Sequence, residues 1–178
     1  MLKNMQKLGK KNICFVGMMG SGKSAIGKKF AKIINYRFFD IDKLIQNETG
    51  KTISQIFEIQ GEDFFRKLEE KIALKILKIN NSVISLGGGS ILNKSIRNLM
   101  VKNSFTIYLE VNIDVLYHRL QKTNIRPLLK NKNIKETLQN LQKNRNKYYE
   151  KANLILNNSN KMENVLKELK DYFQNYEK

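Results

Sequence analysis

Gly17-Met18-Met19-Gly20-Ser21-Gly22-Lys23-Ser24 is the stretch on which the reading of this chain turns. It satisfies G-x-x-x-x-G-K-S, in which backbone N–H groups converge on phosphate oxygens, a lysine adds a point charge and a hydroxyl can ligate Mg²⁺. A glycine-rich turn that merely starts a helix has no need of Gly, Lys and Ser at these spacings. The flanks fit as well: Asn12 to Val16 is a short apolar run, and Lys23 to Ile34 reads as a helix with Ala25, Ile26, Phe30 and Ile33 on one side. In that strand–loop–helix setting the helix N-terminus offers its positive end to an anion. Gly20, Ser21, Gly22, Lys23, Ser24 and Ala25 are thus the expected nucleotide-binding set, with Ser24 a metal ligand.

Outward from the loop, β-prone and helical stretches alternate. Tyr36 to Ile41 is aromatic and β-prone, and helical spacing then runs through Leu44, Ile45, Ile53, Ile56 and Phe57. Gly61 interrupts it, after which Phe64, Phe65, Leu68, Ile72, Ile76 and Ile79 trace a longer amphipathic helix. Ser82 to Leu86 is a strand that stops at three glycines. Ser104 to Val111 is the next strand and Ile113 to Gln121 the next helix. Asn153 to Leu156 and about Lys161 to Phe173 supply a last strand and a terminal helix. Five strands joined by helical crossovers predict a three-layer α/β/α fold around a five-stranded parallel sheet. Residues 1–178 read as a single domain. A polar segment, about residues 122–132, holds the only proline, Pro127, beside Arg126, and is read as a mobile lid loop.

The chain has 178 residues, enough for one core, and a single cysteine, Cys14, in an apolar run, which excludes a disulfide framework or thiolate metal cluster. The first eleven residues carry Lys3, Lys7, Lys10 and Lys11 without an apolar segment of secretory length. No stretch approaches bilayer length, so a soluble cytoplasmic protein without membrane attachment is expected. The formal charge of +17 raises nucleic acid as a partner, but the lysines are spread along the whole chain and do not form a patch. No dedicated nucleic-acid role is expected; the net field still draws small anions at low salt.

A nucleotide loop does not name a reaction, because GTPases, ATP-driven machines and small-molecule kinases share it. A guanine-reading N-K-x-D is missing: Asn146-Lys147 runs on to Tyr148 and Tyr149. Asp40 and Asp42, two residues apart at the end of the second strand, are expected on one side by alternation. One carboxylate near Mg²⁺ and another near an acceptor hydroxyl suit phosphoryl transfer; an acidic turn that caps the next helix is the alternative for Asp42.

Read in order, the phosphate loop, Phe38-Phe39-Asp40-Ile41-Asp42, Phe65-Arg66-Lys67-Leu68-Glu69, Gly87-Gly88-Gly89 and Arg126-Pro127-Leu128-Leu129 resemble the shikimate kinase family, from about residue 12 to residue 156. The resemblance implies a P-loop kinase that uses Mg·ATP, with shikimate as the small-molecule partner, and a monomer. It implies that Asp42, Arg66, Gly88, Gly89 and Arg145 bind shikimate. Arg66 and Arg145 would grip its carboxylate, and Asp42 would contact ring hydroxyls as the base. Lys23, Asp42 and Arg126 are the implied catalytic set, Arg126 reaching the transferring phosphate from the lid. Arg119 would contact the nucleotide, Asp40 would act on Mg²⁺ through water, Ser85 would assist, and Glu69 would hold Arg66. The residue types suit these tasks: a guanidinium meets a carboxylate in a two-bond fork, and glycine lets backbone N–H approach a ligand.

Arginine usage supports the same set. Only six of the 33 basic residues are arginine, and four of them are Arg66, Arg119, Arg126 and Arg145. Planar, forked anion recognition is what arginine offers and lysine does not. The chain departs from the family pattern at Lys147, where a proline is common, and at Ala152-Asn153, where Ala-Asp is common. His118, Tyr148, Tyr149, Phe64 and Phe65 are expected to be surface or packing residues. A gluconate-type kinase and a non-catalytic P-loop nucleic-acid-binding module are the rival readings.

Overall fold

The computed structural model describes residues 9–121, 127–129 and 133–175. Strand β1 (Asn12–Val16) is followed by α1 (Lys23–Ile33), β2 (Arg37–Asp40), α2 (Ile41–Thr49) and α3 (Ile53–Ile76). Next come β3 (Ser82–Ser85), a 3-10 turn (Ser90–Leu92), α4 (Lys94–Asn103), β4 (Ser104–Glu110) and α5 (Ile113–Gln121). A second 3-10 turn (Pro127–Leu129), α6 (Ile134–Tyr149), β5 (Leu154–Asn157) and α7 (Met162–Asn175) complete the order. The five strands form one parallel sheet in the order β2-β3-β1-β4-β5.

Side-chain alternation along the strands builds two cores, one on each face. Ile13 and Phe15 of β1, Val83 of β3 and Phe105, Ile107 and Leu109 of β4 pack with Ile26, Phe30, Val165, Leu169 and Phe173 of α1 and α7. Cys14 and Val16, Ile84 and Tyr108 point the other way, into a core with α2 to α6. All five residues of β1 are buried, as a central strand covered on both faces requires. These are the three layers predicted. Cys14 is buried, and burial pushes its thiol far up, so it behaves as a small hydrophobe.

Two helices fall where no element was assigned from sequence. Helix α4 is a short crossover capped by Asn93, whose Oδ1 accepts from Ile96 N at 3.0 Å. In α6 the buried positions are Leu138, Arg145 and Tyr149, so a charged residue interrupts the apolar period that would announce a helix. Gly61 does break α3, with φ 81° and ψ 171°. Only the 3-10 turn of the expected lid is described: Leu129 is buried in the core beside α3, whereas Arg126 lies outside the described residues.

Asn153, the departure from Ala-Asp, keeps a structural task. Its Oδ1 accepts from the backbone N and Oγ1 of Thr106, each at 2.8 Å, and its own N–H donates to Thr106 Oγ1 at 3.1 Å. Thr106 is buried in β4, so Asn153→Ala is expected to cost about 1–3 kcal/mol, measured by urea unfolding, with no change in activity per folded molecule.

Strand order places the site. β1 has β3 on one side and β4 on the other; α1 leaves toward one face of the sheet and α4 crosses on the opposite face. In open parallel sheets a ligand crevice forms at the carboxyl ends of the strands where such a reversal occurs.

Candidate active site

The loops at that edge enclose a cavity of about 330 Å³. Its lining includes Gly20, Gly22, Lys23, Ser24 and Ala25 from the β1–α1 loop, Asp40 and Asp42 from the start of α2, and Arg66 from α3. Ser85, Gly88, Gly89, Arg119 and Arg145 come from β3, the loop after it, α5 and α6. Residues far apart in sequence thus meet at one place. Ser21 does not line the cavity; it is fully buried beneath the loop, with its carbonyl accepting from Asn158 Nδ2 at 2.8 Å.

The loop owes its shape to glycine at two points. Gly17 has φ 144°, and a Cβ there would lie 2.7 Å from the Leu109 carbonyl oxygen. Gly22 has φ 89°, and a Cβ there would meet Asn158 Nδ2 at 2.6 Å. Lys23 is buried, and its ammonium donates to the carbonyls of Gly17 and Met18, both at 2.9 Å. The lysine is therefore tethered across the mouth of the loop, within reach of an incoming phosphate. Gly17→Ala is expected to displace the loop and reduce ATP affinity at least about tenfold, read by nucleotide titration, because the obstructing atom is backbone.

Asp40 and Asp42 both line the cavity, but not as two residues of one strand. β2 ends at Asp40, which caps α2 by accepting from Lys43 N at 3.2 Å, and Asp42 stands in the first helical turn. The capping role weighed for Asp42 therefore belongs to Asp40. Asp40 pairs in register with Ser85, which pairs with Phe15, so one row across the sheet ends under the phosphate loop.

Arg66 is held from two sides. Its Nε and Nη2 donate to Glu62 Oε1 at 3.1 and 2.9 Å, and its Nη1 donates to Glu69 Oε2 at 2.7 Å. Burial works against the Arg66 charge, but the two carboxylates more than offset it and hold the guanidinium above its usual range. Burial pushes the Glu69 carboxyl up, against Arg66 and a 2.5 Å hydrogen bond from Ser90 Oγ; Asp42 nearby adds to the rise. The tightness of the cluster explains the glycines: a Cβ on Gly89 would lie 2.6 Å from Arg66 Nη1, and one on Gly87 would collide with Glu69 Oε1.

Arg145 is the anomaly. Its side chain is buried, yet Nε and Nη1 have no hydrogen-bond partner. Buried donors without acceptors are costly, and they point to an anion or oxygen ligand supplied from the cavity. Arg119 lies against the phosphate loop, donating to the Asn158 carbonyl at 2.8 Å and, more weakly, to the Gly20 carbonyl at 3.4 Å; burial lowers its pKa.

A family model described as shikimate kinase matches residues 19–174. The chain belongs to the shikimate kinase family. It is an ATP-dependent kinase by that membership. The shikimate kinase of Clostridium botulinum (strain 657 / Type Ba4) is 44% identical over 164 residues, covering 90% of this chain and 95% of that protein. The solved structure of the Acinetobacter baumannii shikimate kinase in complex with shikimate superposes with a TM-score of 0.89 at 27% identity, covering 98% of this chain and 97% of that one. A gluconokinase from Sinorhizobium meliloti 1021 reaches a TM-score of 0.64 at 21% identity over 93% and 95% of the two chains, a likeness of fold alone.

Several functional neighbours were not legible as such in the sequence. Glu62 could have been found, since it stands four residues before Arg66 on the same helix. Ser90 and Asn158 carry no local signal. Tyr149, expected to be packing only, donates its hydroxyl to the Gly88 carbonyl at 2.5 Å. The two arginines outside the predicted set hold carbonyls: Arg37 donates to Asn80 O at 3.0 Å, and Arg97 to Ile91 O at 2.7 Å while stacking over Tyr148. No helix among the described residues is long and apolar enough to cross a membrane.

Proposed function

We propose that the chain transfers the γ-phosphate of ATP to the 3-hydroxyl of shikimate, giving 3-phosphoshikimate and ADP on the route to chorismate and the aromatic amino acids. The observation that carries this reading is the buried guanidinium of Arg145, whose Nε and Nη1 have no hydrogen-bond partner, on the same cavity as Arg66 and the phosphate loop. Shikimate has one carboxylate and three ring hydroxyls, which matches two arginines and one acceptor carboxylate, Asp42. Arg66 and Arg145 bind the acid in charge-assisted forks, and Gly88 and Gly89 let backbone approach the ring. The shikimate complex of the Acinetobacter baumannii relative supports the same acceptor.

The transfer is a direct in-line displacement without a phospho-enzyme. Asp42 accepts the proton of the 3-hydroxyl as its oxygen bonds to the γ-phosphorus, the bond from that phosphorus to the β,γ-bridging oxygen breaks, and ADP leaves with the electron pair. Lys23 and the loop N–H groups steady the β- and γ-phosphates and Arg119 contacts the nucleotide; Arg126, outside the described residues, is assigned to the charge of the transferring group on the family resemblance of its Arg-Pro-Leu-Leu motif. Mg²⁺ fits the donor set, because Ser24 offers an exposed hydroxyl and Asp40 a carboxylate on the same cavity. Among the described residues no cluster of His, Cys, Asp and Glu forms an all-protein cage, which suits an ion that keeps water and phosphate ligands. Bound there, it neutralises phosphate charge. The 178-residue chain acts as one cytoplasmic, monomeric kinase domain, without a membrane or nucleic-acid partner.

The regiochemistry is tested by ³¹P NMR of the product formed from Mg·ATP and shikimate. A single phosphomonoester on the 3-oxygen is expected; phosphate on another oxygen, or inorganic phosphate alone, would overturn the proposal.

A further inference from the structure

Three consecutive glycines give the loop after β3 close contact with its surroundings, and they remove what would normally fix its peptide orientations. At Gly88 a Cβ would lie 3.2 Å from Met19 N, 3.3 Å from Gly17 O and 3.5 Å from Arg145 Nη1, so this residue is wedged between the phosphate loop and Arg145. Without side chains on either flank, the Gly88–Gly89 peptide has low steric resistance to turning over. The bond from Ser90 N to Gly87 O at 3.1 Å closes the turn around that peptide without choosing which way it faces.

Tyr149 is placed to set it. It stands one helical turn after Arg145 on α6, and its hydroxyl donates to Gly88 O at 2.5 Å. The ring is buried and stacked on Tyr108, with centroids 5.0 Å apart and planes 19° from parallel. The Tyr108 hydroxyl donates in turn to Asn146 Oδ1 at 3.4 Å, back on α6. Among the described residues no peptide is cis, so holding the Gly88 carbonyl toward Tyr149 turns the Gly89 N–H to the opposite side. Gly89 and Arg145 line the cavity and Tyr149 does not.

We infer that Tyr149 is a positioning residue for the acceptor: its hydroxyl pins the Gly88–Gly89 peptide so that the Gly89 N–H and the Arg145 guanidinium face the same bound acid. One helix thereby supplies both a ligand-binding charge and the hold on the backbone donor beside it. Burial raises the Tyr149 hydroxyl pKa well above its ordinary range, with the charge of Arg145 and a hydrogen bond between the two side chains acting against the rise, so the phenol remains a donor at working pH and also touches the arginine it helps to place. The inference rests on the acceptor side of the cavity assigned above, and its test separates the two.

The test is Tyr149→Phe, which keeps the stacked ring and deletes the hydroxyl, with Tyr108→Phe as the control that keeps Tyr149 itself. In the ligand-free protein, the ¹H–¹⁵N resonance of Gly89 is expected to shift and broaden or double in Tyr149→Phe and to stay near its wild-type position in Tyr108→Phe. In kinetics, KM for shikimate is expected to rise about tenfold in Tyr149→Phe, with kcat and KM for ATP within about twofold of wild type. An unchanged Gly89 resonance overturns the pin whatever the acceptor proves to be. A displaced resonance with unchanged KM for shikimate, or an equal rise of KM in Tyr108→Phe, overturns its role in acceptor binding. Failure of wild-type turnover with shikimate would instead strike the acceptor assignment, and the resonance would still decide the pin.

Discussion

Asp42→Asn is expected to leave a folded, ATP-binding protein whose kcat has fallen by about 10²- to 10⁴-fold, the usual contribution of a positioned general base. The separation of activity from stability follows from where the capping falls. Asp40, not Asp42, accepts the hydrogen bond at the start of α2, so converting Asp42 to its amide removes no cap. Structurally the change removes a negative charge from a first helical turn, worth about 0.3–1 kcal/mol. Shape is retained where it matters: Asp42 Oδ1 lies 3.2 Å from the position a Cβ on Gly87 would take, and an amide oxygen or nitrogen occupies the same space. The melting temperature should therefore fall by no more than about 2–4 °C and nucleotide titration should match wild type, while ADP release collapses. Retained turnover would remove the proposed base.

Arg145→Met is expected to move stability and function in opposite directions. In the ligand-free protein the guanidinium is buried, with Nε and Nη1 unpaired, a state that costs about 1–3 kcal/mol per unsatisfied group. Methionine fills similar space between Tyr149 and Gly88 without polar atoms, so the melting temperature should rise, by roughly 2–4 °C per kcal/mol regained. Shikimate binding should suffer the reverse, because truncating one partner of a buried hydrogen-bonded charge pair costs about 2–5 kcal/mol, or some 30- to 5,000-fold in KM. A variant both less stable and unimpaired in shikimate KM would show that Arg145 is structural. Arg66 makes the contrast: its Nε, Nη1 and Nη2 donors are already engaged by Glu62 and Glu69, so its loss should destabilise α3 as well as weaken binding.

How much of this was legible in the chain depends on whether function disturbed the local pattern. The strands around β1 are apolar runs covered on both faces, and all five were read within two residues of their ends. Gly61 announced its break because glycine is the residue that adopts a positive φ without steric cost, as it does here. Helix α6 was not assigned because Arg145 occupies a core-facing position, so the residue that the site needs is the one that hides the helix. Asp40 and Asp42 were placed correctly on one cavity for a partly wrong reason, since strand alternation ends at Asp40 and the turn of α2 brings Asp42 round. Contacts such as Asn158 to the Ser21 carbonyl, 137 residues apart, and Ser90 to Glu69 depend on tertiary packing that no local periodicity encodes.

The most direct measurement is a coupled ADP-release assay with Mg·ATP, run with shikimate, quinate, gluconate and no acceptor. Saturable release with shikimate, at a KM for acceptor well below that for quinate or gluconate and above a negligible no-acceptor rate, is the predicted result. Preference for gluconate would keep the kinase and contradict the shikimate assignment; no release from a folded, ATP-binding protein would contradict catalysis itself and favour a nucleotide-binding module.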